Sequence, residues 1–304
     1  MLTESPSEFL DCALKAPVDY SAATAAAAFL VADPNFSVAT ETADDNQYLD
    51  LDEPARSEEA WLQQCKLAQT LRDLGLPTVS FSPLAGAGDS VFPNNAFATN
   101  QRRLITGAMH YPGRQRETTH PGIRQFFCQT LGYELVELDR AQCTAELTGS
   151  LIIDHARRVG FCGLSERADA AGAAVMHEAF GLRATFLFAL EPQEYHTNVV
   201  LSVLAGRGAI AYAPEASQQS LREVLDALYG AQVHYLTEAE KNHFAANCLA
   251  VTSGDVVMSK RAAEALSEAS AAWFRQADFT VTGVDVSELE RAGGSVRCMI
   301  GEIF

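Results

Sequence analysis

The chain of 304 residues is 48% hydrophobic and 20% charged, a composition typical of a globular protein with a sizeable core. Its net charge of −17, without a cluster of Lys and Arg, disfavours binding to nucleic acid. The seven cysteines lack the spacing of a disulfide framework or a metal site, which predicts reduced thiols in a cytoplasmic protein. The alanine-rich run from Ala22 to Ala32 is too short to span a bilayer, so we expect no membrane partner.

The first fifty residues are predicted to hold an arm, a strand and a loop. Residues 1–20 are interpreted as a polar N-terminal arm, and residues 21–304 as a single domain, because no linker rich in Pro, Ser or Gly interrupts them. The run from Ala22 to Ala32 is predicted to be the first core strand. The acidic, turn-rich segment 36–53 is predicted to be a long loop, which either connects elements or acts as a lid.

From Ser57 onward the predicted elements follow a regular order. Helical spacing predicts a helix that ends at Gly75, and Thr78–Phe81 is the next strand. Such a serial α/β repeat predicts a closed, propeller-like ring with the helices outside. The later elements are strands Asn95–Thr99 and Leu104–Met109 with helix His120–Leu131; strands Tyr133–Leu138, Ser150–Asp154 and Val159–Gly163 with helix Glu166–Phe180; strands Arg183–Phe188, Val199–Leu204 and Ala209–Tyr212 with helix Glu215–Tyr229; strands Val233–Leu236, Cys248–Val251 and Val256–Ser259 with helix Arg261–Arg275; and strands Phe279–Val286 and Val296–Ile303.

Five polar residues recur at a nearly constant spacing along these units. Counting back from Cys298 in steps of 50 or 51 residues leads to Asn247, His196, Glu146 and Asn95. Each of them opens or precedes an apolar, β-branched run. A period near fifty is typical of proteins built from repeated supersecondary units. If the units form a ring, the five side groups converge on its axis.

Three of these residues have the chemistry of a cysteine hydrolase. Cys298 supplies a nucleophile, His196 a general acid/base and Glu146 a carboxylate. A lone Cys is more often a small buried hydrophobe, and a lone His is more often a hydrogen-bonded core residue. The shared period favours the catalytic interpretation over these separate structural ones.

Several segments around these residues resemble the guanidine-modifying superfamily of arginine deiminases and amidinotransferases, and most closely its citrulline-utilisation hydrolases. The resemblance implies an α/β pentein fold, a pseudo-fivefold propeller of three-strand-plus-helix modules, with a Cys-His-acid site in the central channel. It also implies that no metal or organic cofactor is needed. It runs in order from about Ala25 to Phe304 and rests on Phe92-Pro93-Asn94-Asn95-Ala96-Phe97, Glu146-Leu147-Thr148-Gly149-Ser150, His196-Thr197-Asn198 and Gly293-Gly294-Ser295-Val296-Arg297-Cys298-Met299.

The same resemblance implies roles for the catalytic residues. Cys298 is the nucleophile, His196 the general acid/base, and Glu146 the carboxylate that positions the substrate and His196. Asn95 and Asn198 stand where arginine deiminases carry aspartates that bind the guanidinium group. The sequence departs from the pattern at one position, because Leu147 stands where relatives usually have Gly.

Two arginines and one further amide complete the predicted substrate site. Arg167, in a segment similar to the Ser-Glu-Arg-Thr segment of the superfamily, is a candidate for binding the α-carboxylate. Arg114, in a second such segment, would assist it. Asn247 is suggested as a substrate-binding residue by the repeat more than by the resemblance.

Amides in place of aspartates favour a neutral substrate, because an amide offers a donor and an acceptor but no charge to pair with a guanidinium. We therefore predict that citrulline is hydrolysed to ornithine, ammonia and carbon dioxide, with a small-molecule amino acid as the partner and a homodimer as a possible assembly. One alternative is an arginine deiminase or arginine dihydrolase, in which Glu146 and an acidic loop residue such as Asp44 or Asp45 supply the charge. The others are an amidinotransferase and a catalytically silent pentein binding protein.

Overall fold

The computed structural model describes residues 1–15, 17–41 and 43–304, and its strands form small sheets. The mixed α/β class predicted from the sequence is confirmed. The strands are β1 (Leu2–Thr3), β2 (Ala27–Val31), β3 (Thr78–Phe81), β4 (Phe97–Asn100), β5 (Arg103–Thr106), β6 (Glu134–Glu137), β7 (Leu151–Asp154), β8 (Val159–Leu164), β9 (Ala184–Ala189), β10 (Leu201–Leu204), β11 (Gly208–Ala211), β12 (Val233–Tyr235), β13 (Leu249–Ala250), β14 (Asp255–Ser259), β15 (Thr280–Val284) and β16 (Gly301–Ile303).

The same sheet topology recurs along the sequence. Strand β4 pairs antiparallel with β5, which pairs parallel with β6. This arrangement is repeated in β7-β8-β9, β10-β11-β12, β13-β14-β15 and β16-β2-β3. The last of these sheets combines a C-terminal strand with two N-terminal ones, so strand pairing joins the two ends of the fold.

Helices connect and cover these sheets. The amphipathic helix α8, for example, buries Leu221, Val224, Leu225 and Leu228 at helical spacing against the sheet of β10 and β11. The helices are α1 (Pro6–Ala13), α2 (Ser57–Asp73), α3 (Pro112–Glu117), α4 (Pro121–Arg124), α5 (Leu147–Ser150), α6 (Ala170–Ala179), α7 (Thr197–Val200), α8 (Gln219–Tyr229), α9 (Glu238–Asn242), α10 (Lys260–Ala265), α11 (Glu268–Gln276), α12 (Ser287–Glu290) and α13 (Val296–Met299), with 3₁₀ turns at Tyr20–Ala22, Pro93–Asn95 and Gly230–Gln232 and a π-helical segment at Gln125–Thr130.

Some helix boundaries differ from the sequence predictions because polar residues cap the helices internally. The predicted helix Arg261–Arg275 is divided into α10 and α11, since Leu266 and Ser267 are extended and the Ser267 hydroxyl accepts a hydrogen bond from the Ser270 N–H. The predicted helix Glu166–Phe180 starts only at Ala170, after the cap Asp169.

The N-terminal residues pack against the rest of the protein, which their polar composition did not predict. Strand β1 pairs parallel with β9. Helix α1 buries Phe9, whose ring lies 5.6 Å from the rings of both Phe161 and Phe186. These contacts attach part of the predicted arm to the sheet of β7, β8 and β9. The assignment of residues 21–304 to a single domain stays a prediction.

A short helix or turn precedes the first strand of each repeated sheet. The turns are Pro93–Asn95 before β4, α5 before β7, α7 before β10, residues 244–247 before β13, and α13 before β16. The sequence analysis predicted extended strands at Val199–Leu204 and Val296–Ile303, and the structure replaces the start of each with a helical turn. Helix α5 contacts both Pro93–Asn95 and α7, and α13 contacts Pro93–Asn95, so the turns lie beside one another.

Among the residues that the structure describes, no helix has the length and hydrophobicity needed to cross a membrane.

Candidate active site

Cys298 lies in the turn α13, which glycines and hydrogen bonds hold in place. Gly293 has a φ of 77°, and a Cβ there would come within 2.2 Å of the Asn46 amide. The carbonyl oxygen of Gly293 accepts a hydrogen bond of 2.6 Å from the Tyr195 hydroxyl. The Ser295 hydroxyl donates to the buried carboxylate of Glu290 at 2.6 Å. The turn that carries Cys298 is therefore anchored from several elements.

The thiol of Cys298 is almost fully buried, with 3% of the residue exposed. Its Sγ lies 3.4 Å from Nδ2 of Asn198 and 3.3 Å from Nδ2 of Asn247. Burial raises the pKa of the thiol, while a backbone hydrogen bond from Ser295, the two amide groups and Arg297 act in the opposite direction. In the free site the thiol therefore stays protonated at neutral pH.

His196 and Glu146 form a buried hydrogen-bonded pair, with Nε2 2.8 Å from Oε2. Burial lowers the pKa of His196, and the neighbouring Glu146 only partly offsets this, so the imidazole is neutral at pH 7. The turn α5 approaches the imidazole closely, since a Cβ on Gly149 would lie 2.7 Å from Cε1 of His196. The pair is thus clamped by packing as well as by the hydrogen bond.

Glu146 is fully buried but has enough donors to stay ionised. It accepts hydrogen bonds from the His110 N–H at 3.1 Å and from Nη1 of Arg167 at 3.2 Å. Burial opposes ionisation, yet Arg167, His196 and Arg114 together lower the pKa of Glu146 below its ordinary value.

Leu147, the residue at which the sequence departs from the superfamily pattern described above, has a φ of +32°. The position therefore requires a left-handed backbone that Gly adopts without strain and Leu adopts at a cost.

Arg167 is engaged on every edge of its guanidinium. Nε and Nη2 donate to the two carboxylate oxygens of Asp45 at 2.6 and 2.7 Å, and Nη1 faces Glu146. The guanidinium also lies 4.7 Å from the ring centroid of Tyr111 and 5.5 Å from that of Tyr195. In this conformation Asp45 takes the bidentate position in which a substrate α-carboxylate was predicted.

Arg114 is buried and organises the segment before β4. It donates to the carbonyl oxygens of Asp89 at 2.6 Å and Phe92 at 3.0 Å, and also to Oδ1 of Asn95. It forms an ion pair with Glu117, whose pKa burial raises to about 7 despite that pair. Arg114 therefore fixes Asn95 as well as facing the pocket.

One pocket brings together most of the residues predicted from the sequence. Cys298, His196, Asn95, Arg114 and Arg167 line it. Glu146, Asn198 and Asn247 have no exposed surface and lie behind this wall, in contact with His196 or with the thiol. The sequence analysis did not identify the remaining lining residues, which are Asn46, Asp89, Phe92, Tyr195, Ala292 and Gly294.

Asp89 is the most informative of the missed residues. Its carboxylate is buried, and Oδ1 has no hydrogen-bond partner within the described ranges. Burial raises the pKa of Asp89, and Arg114 acts against this shift. A buried carboxylate oxygen without a donor is costly, which suits a site completed by a donor on a ligand. The sequence signal available for Asp89 was its place three residues before Phe92, which opens the segment that contains Asn95.

The loop predicted over residues 36–53 folds against the pocket. Besides Asp45, its Asn46 amide donates to the carbonyl oxygen of Gly293, and its Tyr48 hydroxyl donates to Glu194 at 2.7 Å. Glu194 in turn forms a buried ion pair of 2.5 Å with Lys241. These contacts place the loop over the site; its opening as a lid stays a prediction.

The fold is shared with enzymes that modify guanidino groups. The N-terminal domain of ArgZ, an arginine dihydrolase of cyanobacteria solved with its substrate, is 18% identical with a TM-score of 0.76, over 91% of this protein and 98% of that domain. A dimethylarginine dimethylaminohydrolase, solved as its adduct with S-methyl-L-thiocitrulline, is 20% identical with a TM-score of 0.68, over 90% of this protein and 98% of that one. The architecture is therefore of the pentein type.

The sequence comparisons identify the family. A family model described as N,N dimethylarginine dimethylhydrolase, eukaryotic, matches residues 33–304. An N(G),N(G)-dimethylarginine dimethylaminohydrolase of Mycobacterium tuberculosis is 30% identical over 260 residues, which are 85% of this protein and 80% of that relative. The chain belongs to this family and is a guanidino-group hydrolase. The predicted membership of the guanidine-modifying superfamily is confirmed.

Proposed function

We propose that this protein hydrolyses a C–N bond of the ureido or guanidino group of an amino acid through a covalent intermediate on Cys298, and that citrulline is a substrate. The observation that carries the proposal is that the Cys298 thiol and the His196 imidazole line one pocket, with His196 held by Glu146. A scaffold or binding protein does not require this combination.

The ureido carbon is a poor electrophile, because the neighbouring nitrogens donate electron density to it, so the attack requires a thiolate. In the first step His196 takes the proton of Cys298, and Sγ forms a bond to the ureido carbon. The C–N bond to ornithine then breaks, and His196 gives its proton to the departing amine. The carbamoyl group remains on the sulfur.

In the second step, a water molecule attacks the carbamoyl carbon while His196 takes one of its protons. The C–S bond breaks, the thiol is restored, and the released carbamate decomposes to ammonia and carbon dioxide. Proton transfer by a positioned imidazole accelerates such steps by about 10²–10⁴-fold. Glu146, ionised behind His196, stabilises the imidazolium that forms in each step.

The choice of citrulline is supported by the amides close to the nucleophile. Asn95 lines the pocket, and Asn198 lies behind it at the sulfur, so neither position brings a negative charge to the substrate. A ureido group is neutral, so its binding does not require carboxylates on both sides.

A second candidate is arginine dihydrolysis, in which arginine is first converted to bound citrulline and ammonia. It is favoured by Asp89, whose buried carboxylate can pair with a guanidinium, and by the similarity to ArgZ. The M. tuberculosis relative makes methylated arginines a third group to assay. Both dihydrolysis and citrulline hydrolysis end in ornithine, so they differ only in whether arginine is accepted.

The test measures the ornithine, citrulline, ammonia and dimethylamine released from citrulline, arginine and dimethylarginine, with Cys298→Ala as the blank. Ornithine from citrulline is expected. A kcat/KM for arginine tenfold or more above that for citrulline, about 1.4 kcal/mol in transition-state binding, would favour dihydrolysis. Absence of ornithine from citrulline would reject citrulline as a substrate, and absence of any product from all three substrates would reject the whole proposal.

We also infer that the repeated sheets close into a pseudo-fivefold ring with the site at one end of its channel. The inference is supported by contacts between consecutive units: β16 with β4, Pro93–Asn95 with α5, β7 with β10, β10 with β13, and β14 with α13. A ring also explains why turns fifty residues apart meet around one pocket.

A further inference from the structure

The environment of the Cys298 sulfur contains two carboxamide groups that come from different sheets. Asn198 belongs to the turn before β10, and Asn247 to the turn before β13. Their Nδ2 atoms lie 3.4 and 3.3 Å from Sγ, within the range of hydrogen bonds to sulfur. Both residues are fully buried, and neither lines the pocket.

The amide of Asn247 can take only one orientation. Its Oδ1 accepts a hydrogen bond from the Arg297 N–H at 3.0 Å, and its Nδ2 also donates to the carbonyl oxygen of Asn198 at 2.9 Å. Turning the amide over would set Oδ1 against a carbonyl oxygen and the NH₂ group against an N–H. Asn247 therefore presents an N–H donor, and never its oxygen, to the sulfur.

The amide of Asn198 can serve both protonation states of the thiol. Its Oδ1 lies 3.8 Å from Sγ, where it can accept the S–H of the protonated thiol. Its Nδ2 at 3.4 Å can donate to the sulfur once the proton has left. Asn198 thus adapts to the charge of the sulfur, whereas Asn247 is fixed to favour the negative form.

A buried thiolate is unfavourable unless donors replace its hydration. Of the other charged or titratable groups, Tyr195 lies beside the sulfur and Arg297 belongs to its own turn. His196, Asp89, Arg114 and Arg167 line the same pocket, and the two arginines are already paired with carboxylates. Arg297 is paired with Glu302 at 2.7 Å, which reduces its effect, and His196 is neutral in the free site. Besides the backbone of Ser295, the two amides are therefore the uncharged side-chain donors next to Sγ among the described residues.

We propose that Asn247 and Asn198 form a two-donor site for the Cys298 thiolate, and that Asn247 acts on the nucleophile and not on the substrate. The same donors assist both halves of the reaction, because they favour formation of the thiolate before attack and its expulsion when the C–S bond breaks. The contribution to turnover rests on the proposed function, but the thiolate site itself does not require any substrate.

The test is the pH dependence of alkylation of Cys298 by iodoacetamide, followed by mass spectrometry of the peptide that contains it. Removing one N–H donor by Asn247→Ala or Asn198→Ala is expected to raise the midpoint by about one pH unit, a tenfold loss of thiolate at a given pH. Asn247→Asp keeps the size and the acceptor for the Arg297 N–H but brings negative charge to the sulfur, so its midpoint should rise further. Cys65, an exposed thiol of the same molecule, is the internal reference.

Ser202→Ala is the matched control for disturbance of the turn. The Ser202 hydroxyl donates to the carbonyl oxygens of Ala246 at 2.7 Å and Cys248 at 2.9 Å, on either side of Asn247. This variant loosens the turn without removing an amide, so the Cys298 midpoint should stay at the wild-type value. An equal shift in Ser202→Ala would show that turn geometry, and not the donor, controls the thiol, and would overturn the proposal.

Unchanged midpoints in both alanine variants would overturn it as well. If Asn247→Ala does not fold, Asn198→Ala and Asn247→Asp decide, since the first retains the contacts that fix Asn247 and the second keeps the residue's size. In folded variants kcat should fall while KM for citrulline changes little, because neither amide lines the pocket. Shifted midpoints in a protein that hydrolyses none of the substrates would reject the proposed function and leave the thiolate site standing.

Discussion

Asp45 provides the sharpest test of how the site receives its substrate. Its carboxylate binds Nε and Nη2 of Arg167 bidentately, and Nη1 faces Glu146, so Arg167 has no free edge for a substrate α-carboxylate. If Arg167 binds that group, the carboxylate of Asp45 must leave first. Replacing Asp45 with Asn removes the competing charge and should strengthen substrate binding.

The size of the effect follows from the burial of the pair. The side chain of Arg167 is 3% exposed and that of Asp45 is 19% exposed, so solvent screens the ion pair only in part. Hydrogen bonds to charged groups contribute about 1.5–3 kcal/mol net. Because the Asn variant still accepts one hydrogen bond, we expect the lower end of this range, about a tenfold decrease in Kd.

The assay is calorimetric titration of citrulline into Cys298→Ala proteins with and without Asp45→Asn, which separates binding from turnover. Asp44→Asn is the matched control, since it removes the same charge from an exposed neighbour on the same loop. Binding of N-carbamoylputrescine, which lacks the α-carboxylate, should be unaffected by Asp45→Asn. A Kd for citrulline that is unchanged or higher in Asp45→Asn would refute competition and indicate that Asp45 orients Arg167 for the substrate.

Three further predictions follow from the site and its support. Cys298→Ala should abolish ornithine release at unchanged melting temperature, whereas Cys65→Ser should stay active; an active Cys298→Ala protein would exclude the covalent route. Lys241→Met should lower the free energy of unfolding in urea by about 3–5 kcal/mol, because the buried carboxylate of Glu194 loses its cationic partner and keeps only neutral donors such as Tyr48. The double variant with Glu194→Leu should recover most of this loss, and additive losses would contradict the reasoning. Since burial lowers the pKa of His196, the unfolded protein binds more protons at His196 than the folded protein does as the pH is lowered below about 6.5. The free energy of unfolding should therefore decrease as the pH is lowered through that region, and should decrease less in His196→Asn. Parallel curves for the two proteins would argue against a neutral buried imidazole.

The sequence could predict which residues meet, because they occupy equivalent positions in repeated units. Asn95, Glu146, His196, Asn247 and Cys298 each lie in or at the start of the turn before the first strand of a sheet, and these turns touch. The apolar runs that follow were recognised as strands. The helical turns themselves were not predicted, because four residues carry too little periodicity to distinguish a turn from the start of a strand.

The partners of these residues were harder to predict. Asp89, Asn46 and Tyr195 line the pocket because of the path of segments that connect the repeated elements. Such paths depend on contacts distant in the sequence, like the pairing of Asp45 with Arg167, 122 residues apart. Helix α1 was missed for the same reason, since its buried ring, Phe9, is matched only by aromatic residues of a later sheet.

The amino-acid sequence by itself determined the α/β repeat and pointed to Cys298, His196 and Glu146 as candidate catalytic residues, because hydrophobic periodicity and spacing are local properties that recur with each unit. Only the tertiary structure decided where each polar group lies and which partners it binds. It placed Asn247 behind the thiol instead of in the pocket, held Arg167 with a loop carboxylate, and left one oxygen of Asp89 without a donor within the described ranges. The reason is physical: the hydrogen-bond partners of a buried polar group are set by whichever turns pack against it, and those turns lie tens or hundreds of residues away in the sequence.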